Sequence, residues 1–296
     1  MAENILVTGA AGQLGQAVIH HLLESNGVEP SRLIAVSRDP AKLAHLAAKG
    51  IQTKKGDFDD AASLIEAFKG ADRVLIISTD ALAVPGQRLQ QHKTAVEAAV
   101  AAGIGHIAYT SMPKPDKSVV TFAPDHLGTE HLIQKSGLPY TIIRNAWYHD
   151  NYLMSMPHNL QAGKWYTSSG EGRVATIARD DCARAIAAAL ASGRTESTTF
   201  TLTGSQALTA PQIAATISES AGKPLEAINV SDDQLAAGIA SAGLPDFVVK
   251  MLVSADANIR AGNFDFVTND FEILTGQQPQ SLKDFMISRR AALRGE

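Results

Sequence analysis

The sequence predicts an α/β protein built on a doubly wound parallel sheet, and three observations predict this fold class. Short apolar runs alternate with helical segments through the first half of the 296-residue chain. A glycine-rich turn, VTGAAGQLG (7–15), separates the first apolar run from its helix. Apolar residues make up 45% of the chain, which is enough for a full core. Strands that alternate with helices of ten or more residues form right-handed βαβ units with helices on both faces of the sheet.

The strands and helices of the first half are predicted from apolar runs and helix-end signals. One helix, for example, is expected over 39–50, because Asp39 can cap it, Pro40 suits its first position and Gly50 lies past its end. The predicted strands are 5–9, 33–37, 51–58, 73–79, 106–111 and 140–145, and the predicted helices are 16–26, 39–50, 62–70, 87–103 and 124–137.

After about residue 150 the alternation loosens. An amphipathic stretch (151–165) comes first, then a strand and helix within 173–190 and a strand at 199–204. Helices are expected at 209–222, 232–243 and 246–262. We therefore predict a cofactor-binding domain over 1–150, followed over 151–296 by a smaller, mainly helical substrate lobe that partly returns to the main sheet.

Composition narrows the function classes. A net charge of −4 argues against a general nucleic-acid surface. No run of about 18 apolar residues is present to span a membrane. Cys182 is the only cysteine, so neither an internal disulfide nor a zinc cluster is expected, and the spacing of the histidines does not suggest a metal site. Without a positively charged signal region near the N-terminus, we expect a cytoplasmic protein, and a homodimer is left open.

The strongest motif is the glycine-rich turn. Gly9, Gly12 and Gly15 follow a G-x-x-G-x-x-G spacing between the first strand and its helix. Glycine allows a tight turn, close approach of backbone N–H groups to a pyrophosphate, and close packing of helix on sheet. The helix N-terminus adds partial positive charge. A merely structural turn is the alternative, but at the first strand–helix turn of an alternating pattern the motif predicts a Rossmann-type dinucleotide site.

The end of the second strand predicts which dinucleotide binds. NAD-selective proteins place an acidic residue there to hold the ribose 2′-hydroxyl. This chain has Ser37 and Arg38 instead, and a guanidinium pairs bidentately with a 2′-phosphate. The other interpretation makes Arg38 a solvated loop charge. We predict NADPH as the cofactor.

Several segments together resemble a known family. The runs VTGAAGQLG, VSRDPAK, GDFDD, HIAYTSM, EHLIQKSGLPYTIIRNAWY and LTGQQPQSLKDF are similar to those of the NmrA-like, atypical short-chain dehydrogenase/reductases. Within that family the chain most resembles bacterial NADPH-dependent quinone oxidoreductases, and next the triphenylmethane dye reductases. The resemblance covers nearly the whole chain, although the family also includes redox-sensing regulators without catalysis.

The resemblance implies a set of cofactor and acceptor contacts. The glycine-rich turn would hold the pyrophosphate, Arg38 the 2′-phosphate, and Asp57 with Phe58 the adenine. The run RNAWY (144–148) would close over the nicotinamide, with Met112, Trp147 and Tyr148 as walls for a flat acceptor. The predicted cofactor contacts are Gly9, Ala11, Gly12, Gln13, Leu14, Gly15, Ser37, Arg38, Asp57, Phe58, Ser78, Thr79, Thr110, Ser111 and Asn145.

One departure from short-chain dehydrogenases bears on the chemistry. Their Tyr-x-x-x-Lys motif, in which the lysine lowers the tyrosine pKa for proton transfer, matches FAPDH here. Phe122 stands at the tyrosine position and cannot give a proton, which argues against alcohol/ketone chemistry and against sugar epimerisation. His126 stands at the lysine position, and since imidazole titrates near neutrality we predict it as a catalytic donor, with Glu130 orienting its ring.

The predicted activity is hydride transfer from NADPH to an acceptor that needs little acid assistance, such as a quinone or a related flat aromatic molecule. No flavin is implied, because NADP would occupy the single glycine-rich site. Two alternatives stay open: a non-catalytic NADP sensor that binds a regulatory partner, which the missing Tyr-x-x-x-Lys motif favours, and a reductase or isomerase of another unsaturated small molecule.

Overall fold

The computed structural model describes residues 3–295, which fall into two compact units. The first unit consists of residues up to 112 together with 125–144 and 182–200. The second contains 113–124, 145–181 and the residues from 201 onward. The units therefore interleave along the chain, which differs from the single boundary predicted at residue 150. The predicted division of labour between cofactor and substrate stays a prediction.

The elements mostly agree with the sequence pattern. The strands are β1 (Ile5–Val7), β2 (Leu33–Ser37), β3 (Gln52–Lys55), β4 (Arg73–Ile76), β5 (His106–Ser111), β6 (Tyr140–Asn145), β7 (Lys164–Thr167), β8 (Arg173–Val174), β9 (Thr198–Leu202), β10 (Leu208–Thr209) and β11 (Glu226–Asn229). The α-helices are α1 (Gln13–Glu24), α2 (Ala44–Ala47), α3 (Ala61–Phe68), α4 (Gln87–Ala101), α5 (Ala123–Lys135), α6 (Met156–Ala162), α7 (Arg179–Ala191), α8 (Ala210–Ala221), α9 (Asp232–Ser241), α10 (Asp246–Arg260), α11 (Asp270–Thr275), α12 (Leu282–Ser288) and α13 (Arg290–Arg294).

The helix predicted over 39–50 is shorter than expected. Its first turn is a 3-10 helix, Pro40–Leu43, and α2 covers only the next four residues. The predicted helix-end residues nevertheless act as expected. The Asp39 carboxylate accepts a hydrogen bond from the Ala41 N–H at 3.1 Å, and Gly50 has a φ of +86°.

A seven-stranded sheet has the order β3-β2-β1-β4-β5-β6-β9. Strands β1 to β6 pair in parallel, and Leu6 of β1 lies opposite Ile34 on one side and Val74 on the other. The strand order reverses between β1 and β4, which is the switch point where ligand crevices open in doubly wound sheets. The predicted Rossmann-type fold is confirmed, including the return of β9 to the main sheet.

The central strands are apolar and fully buried. Leu6, Val74 and Ile107 are each 0% exposed and belong to a core cluster that also includes Phe68 of α3 and Val96 of α4. Parallel strands covered on both faces favour such unbroken apolar runs. The core fixes the strands, and their carboxyl ends then place the loops that follow them along one edge.

The second unit is mainly helical and carries two small sheets. Strands β8 and β10 pair antiparallel, and β7 pairs with β11 in parallel. Helices α8 and α9 both begin with a capping box, made by Thr209 with Gln212 and by Ser231 with Gln234. Among residues 3–295, no helix is both long and apolar enough to cross a membrane.

Candidate cofactor and acceptor site

The loop after β1, called the glycine loop (residues 9–15), is shaped by steric limits on its backbone. Gly9 has a φ of +60°, a conformation that residues with a Cβ rarely adopt. A Cβ on Gly15 would lie 2.4 Å from the Gly9 carbonyl oxygen, closer than any real Cβ contact. The Gly12 N–H donates to the same oxygen at 2.9 Å. The loop therefore requires glycine at Gly9 and Gly15 for its turn and for the packing of α1.

The N-terminus of α1 is suited to an anion. Gly12 occupies the cap position without a side-chain hydrogen bond, and no acidic residue stands in the first turn. Gly9, Gly12 and Gln13 are exposed, while Ala11 and Leu14 are half-buried. A helix start with this arrangement turns backbone N–H groups toward a phosphate. The geometry fits a pyrophosphate, as the motif predicts.

The end of β2 offers one exposed cation. The Ser37 Oγ accepts a hydrogen bond from the Asp39 N–H at 3.2 Å, and the Asp39 carboxylate caps the 3-10 turn that follows. The Arg38 side chain is exposed to solvent. Asp39 is thus engaged in capping, and Arg38 is accessible to a 2′-phosphate.

Asp57 and Phe58 follow β3. The Asp57 N–H donates to the Ser63 Oγ at 3.0 Å, and the Asp57 side chain is half-buried. Phe58 is 8% exposed and packs in the core cluster, so most of its ring is covered by protein. The predicted contact of this pair with adenine stays a prediction.

The residues after β4, called the β4 loop (residues 77–79), are fixed by three side chains. Their three N–H groups donate in turn to Thr8 Oγ1 at 3.0 Å, Thr110 Oγ1 at 2.9 Å and His92 Nε2 at 3.0 Å. An ideal Cβ on Gly9 would lie 3.6 Å from the Ile77 Cβ, so the β4 loop borders the glycine loop directly. The predicted residues Ser78, Thr79 and Thr110 are therefore brought together at the switch point.

Ser111, at the end of β5, belongs to a buried polar group. Its Oγ donates to Glu130 Oε1 at 2.6 Å, and Arg144 forms two hydrogen bonds with the same carboxylate at 2.9 and 2.6 Å. Glu130 is 2% exposed, and the Arg144 guanidinium compensates its charge there. Glu130 was expected to orient His126, but the contacts seen here are with Ser111 and Arg144.

His126 lies in a buried cluster of unit 1. Its Nε2 lies 3.0 Å from an Arg88 Nη and its Nδ1 lies 2.9 Å from the Tyr109 hydroxyl. A guanidinium can only donate, so His126 Nε2 accepts and the ring proton sits on Nδ1, where it donates to Tyr109. Arg88 and Tyr109 therefore position the ring.

The charge state of His126 differs from the expectation. Burial lowers the pKa of His126 well below its ordinary value, and the nearby Arg88 charge lowers it further. The side chain is 4% exposed. The premise that this imidazole protonates near neutrality is therefore wrong, because its surroundings disfavour the charged form. The catalytic role predicted for His126 stays a prediction, now for a neutral ring.

Asn145, the last residue of β6, and the residues that follow it lie in the second unit. Asn145 Nδ2 donates to the Tyr148 hydroxyl at 3.0 Å, and the Arg179 guanidinium lies 5.2 Å from the centre of the Tyr148 ring. Trp147 packs near Phe264 with ring centres 6.5 Å apart. Asn145 Oδ1 is buried without a partner among the described residues, so it is available to an N–H donor of a ligand.

Met112 ends the first of the three segments that form the first unit, and it is 5% exposed. Trp147 and Tyr148 are half-buried. Their predicted role as walls for an aromatic acceptor stays a prediction.

Two side chains of this site escaped sequence reasoning. Arg88 and His92 lie one turn apart on α4 and contact the β4 loop. His92 is fully buried. The i, i+4 spacing places Arg88 and His92 on one face of α4, but the backbone that they bind lies outside that helix.

The family model described as the NmrA-like family matches residues 1–268. The chain belongs to the NmrA-like family. This confirms the resemblance inferred from the sequence motifs.

One related protein and two solved structures are similar to this chain over most of its length. Quinone oxidoreductase 2 of Escherichia coli K12 is 38% identical over 262 residues, covering 88% of this chain and 90% of that protein. The crystal structure of the Escherichia coli NADPH-dependent quinone oxidoreductase complexed with NADPH matches with a TM-score of 0.90 and 36% identity, covering 95% of this chain and 98% of that one. The Citrobacter sp. triphenylmethane reductase complexed with NADP(H) matches with a TM-score of 0.91 and 32% identity, over 97% and 100% of the two chains.

Proposed function

We propose that this protein is an NADPH-dependent oxidoreductase that transfers hydride to a quinone or a similar flat aromatic acceptor. The observation that carries the proposal is the glycine loop. It stands at the switch point of the sheet, has no space for a side chain at Gly15, and leads into a helix whose N-terminus lacks a side-chain cap. The names of two similar proteins, an NADPH-dependent quinone oxidoreductase and a triphenylmethane reductase complexed with NADP(H), support the same class.

The residues of the first unit divide the work of binding NADPH. The N–H groups at the start of α1 hold the pyrophosphate, since a helix N-terminus favours an anion. Arg38 pairs with the 2′-phosphate and Ser37 adds a hydroxyl donor, which together favour NADPH over NADH. The β4 loop and Thr110 border the crevice beside the glycine loop. In the second unit, Asn145 Oδ1 offers a buried acceptor to an N–H group of the ligand.

Bound NADPH supplies the hydride. The protein's part is to hold donor and acceptor in contact and to keep the charge distribution favourable. A quinone that gains hydride becomes an aromatic hydroquinone anion, which water can protonate. That requirement matches a chain with Phe122 in place of the usual tyrosine and with a neutral His126.

Met112, Trp147 and Tyr148 are proposed as the acceptor contacts, because their apolar and aromatic surfaces suit a flat ring system. The hydrogen bond from Asn145 fixes the Tyr148 hydroxyl, and the Arg179 guanidinium covers one side of its ring. A Tyr148→Ala variant is expected to raise KM for the acceptor. Cytoplasmic localisation, the absence of nucleic-acid partners and a homodimeric state stay predictions.

The test is oxidation of NADPH by the purified protein in the presence of simple quinones and triarylmethane dyes, followed at the nicotinamide absorbance band. Steady turnover with aromatic acceptors is the expected result. Saturable NADPH binding without turnover would identify a sensor and contradict the proposal. Turnover only with non-aromatic unsaturated molecules would reject the acceptor class while keeping the cofactor.

A further inference from the structure

The backbone of Thr79 in the β4 loop is bound at both its N–H and its C=O group by side chains of one helix. Its N–H donates to His92 Nε2 at 3.0 Å, and its carbonyl oxygen accepts from Arg88 Nε at 2.7 Å. Arg88 and His92 are neighbours one turn apart on α4. The two side chains therefore form a clamp, called here the α4 clamp (Arg88 and His92), that holds the two peptide groups on either side of the Thr79 Cα.

The clamp is itself held in one protonation state. Because the Thr79 N–H can only donate, His92 Nε2 must accept, and the ring proton sits on Nδ1. That proton faces Thr129 Oγ1 at 2.8 Å, and the Thr129 hydroxyl in turn donates to the Asp125 carbonyl oxygen at 2.6 Å. Burial, with a smaller effect of Arg88, lowers the pKa of His92 to about 3, so the ring stays a neutral acceptor.

Arg88 is fixed by the same surroundings. Its guanidinium bonds His126 Nε2 as well as the Thr79 carbonyl oxygen. The side chain is 6% exposed, yet an arginine keeps its charge when buried. The guanidinium should keep this position, because losing either hydrogen bond would leave a buried charge with less compensation for its desolvation.

The clamped residue, Thr79, lies in a loop that borders the proposed cofactor site. The β4 loop borders the glycine loop at the switch point, and Thr8 links them further by accepting from the Ile77 N–H while donating to the Leu75 carbonyl oxygen. Building the proposal on the function given above, we propose that Arg88 and His92 are positioning residues, which preorganise the β4 loop as one wall of the NADPH crevice. They act through Thr79 and do not themselves touch the cofactor.

The experiment compares His92→Leu, which removes the acceptor, with His92→Gln, whose side-chain oxygen can still accept from the Thr79 N–H. The matched control is His106→Leu. His106 is also buried and bonded to a threonine hydroxyl, Thr141 Oγ1 at 2.9 Å, but it begins β5 at the opposite edge of the sheet. Arg88→Lys serves as a second variant of the clamp, since it keeps the charge and loses the forked geometry.

Two readouts are taken on each folded variant: the dissociation constant for NADP⁺ by calorimetry, and the exchange rate of the Thr79 amide hydrogen by NMR. For His92→Leu we expect about 10-fold weaker NADP⁺ binding and about 10-fold faster exchange, as for loss of one positioning hydrogen bond. His92→Gln is expected to restore both, and His106→Leu to change neither. Thermal melting identifies any variant that fails to fold, in which case Arg88→Lys provides the same comparison.

Unchanged Thr79 exchange in folded His92→Leu, or equal weakening of NADP⁺ binding in His92→Leu and His106→Leu, would overturn the clamp. Parent protein that does not bind NADP⁺ at all would instead reject the proposed function, so the two failures are distinguishable.

Discussion

Two loops border each other at the carboxyl edge of the sheet and are held by opposite means. The glycine loop is shaped by contacts within itself: Gly12 bonds Gly9, and Gly15 leaves no room for a Cβ against the Gly9 carbonyl oxygen. The β4 loop is shaped from outside, because each of its three N–H groups donates to a side chain from another part of the chain.

The difference shows how a cofactor site can combine local and distant control. Steric limits restrict the glycine loop, together with the hydrogen bond from the Ala10 N–H to the Val36 carbonyl oxygen at 3.1 Å, and neither depends on a titrating group. The β4 loop depends on buried polar side chains that must stay neutral and paired, and such groups are costly to leave unsatisfied. The two loops should therefore respond to different perturbations.

Acid should produce the largest effect, and it should act on the histidine-dependent region. The folded-state pKa is about 3 for His92 and about 4 for His149, whereas an unfolded histidine titrates near 6.5. Below about pH 6.5 the unfolded chain binds protons that the folded chain does not, so stability is full above this pH and falls toward pH 4. The slope is about 1.4 kcal/mol per pH unit for each such histidine.

Urea unfolding near neutral pH and near pH 5 measures this slope. His92→Gln should reduce it by the share of one histidine, about 1.4 kcal/mol per pH unit, because glutamine does not titrate. His131→Gln, a change at an exposed histidine of α5, is the control and should leave the slope unchanged. A parent protein equally stable at both pH values would contradict the buried, neutral state of these rings.

The second-largest effect is expected from a methyl group at Gly15, which should distort the glycine loop. The added Cβ would meet backbone atoms at 2.4 and 2.9 Å, which cannot move aside without shifting the turn. Overpacking of this kind costs about 1–3 kcal/mol, which corresponds to roughly 5- to 150-fold weaker NADPH binding if the strain falls on the bound conformation.

Gly238→Ala is the matched control for Gly15→Ala. Gly238 lies within α9, and a Cβ there meets no atom within 4 Å. Alanine is favoured over glycine inside a helix, so this variant should be stabilised by up to about 1 kcal/mol with unchanged cofactor affinity. Unimpaired NADPH binding by Gly15→Ala would show that the loop is not held by its own steric limits.

The smallest expected effect is on the pH profile of turnover. Since burial and Arg88 keep His126 neutral, kcat/KM should vary little between about pH 6 and pH 8 on account of this residue. Steady-state assays across that range, in parent and His126→Gln, provide the measurement. A transition near pH 6.5 that disappears in the variant would restore His126 as a titrating proton donor.

The features that could be predicted from the sequence are those that depend on residues close together in the chain. The glycine spacing, the apolar strands and the Ser37–Arg38 pair are all local signals, and the sheet and its switch point follow from the alternation of elements. The short α2 is a local miss, because a 3-10 turn replaced the first turn of the predicted helix.

The protonation of His126 was not predictable in the same way. Its charge state is set first by burial and then by Arg88, which lies 38 positions away in the chain. No periodic pattern reveals that α4 and β5 both contact this ring. Arg88 and His92 were missed for the same reason, because the Thr79 peptide that they bind lies outside the helix that carries them.

The central claim, an NADPH-dependent reductase whose cofactor is selected at Arg38, is tested most directly by one comparison. Initial rates of NADPH and NADH oxidation with a quinone acceptor are measured in the parent and in Arg38→Ala. A charge-assisted contact with the 2′-phosphate contributes about 1.5–3 kcal/mol, so kcat/KM should favour NADPH by roughly 10- to 150-fold in the parent. The variant should lose most of this preference by weakening NADPH alone, and added salt should reduce it in the parent. Equal efficiency with both nucleotides in the parent, or no oxidation of either, would contradict the account.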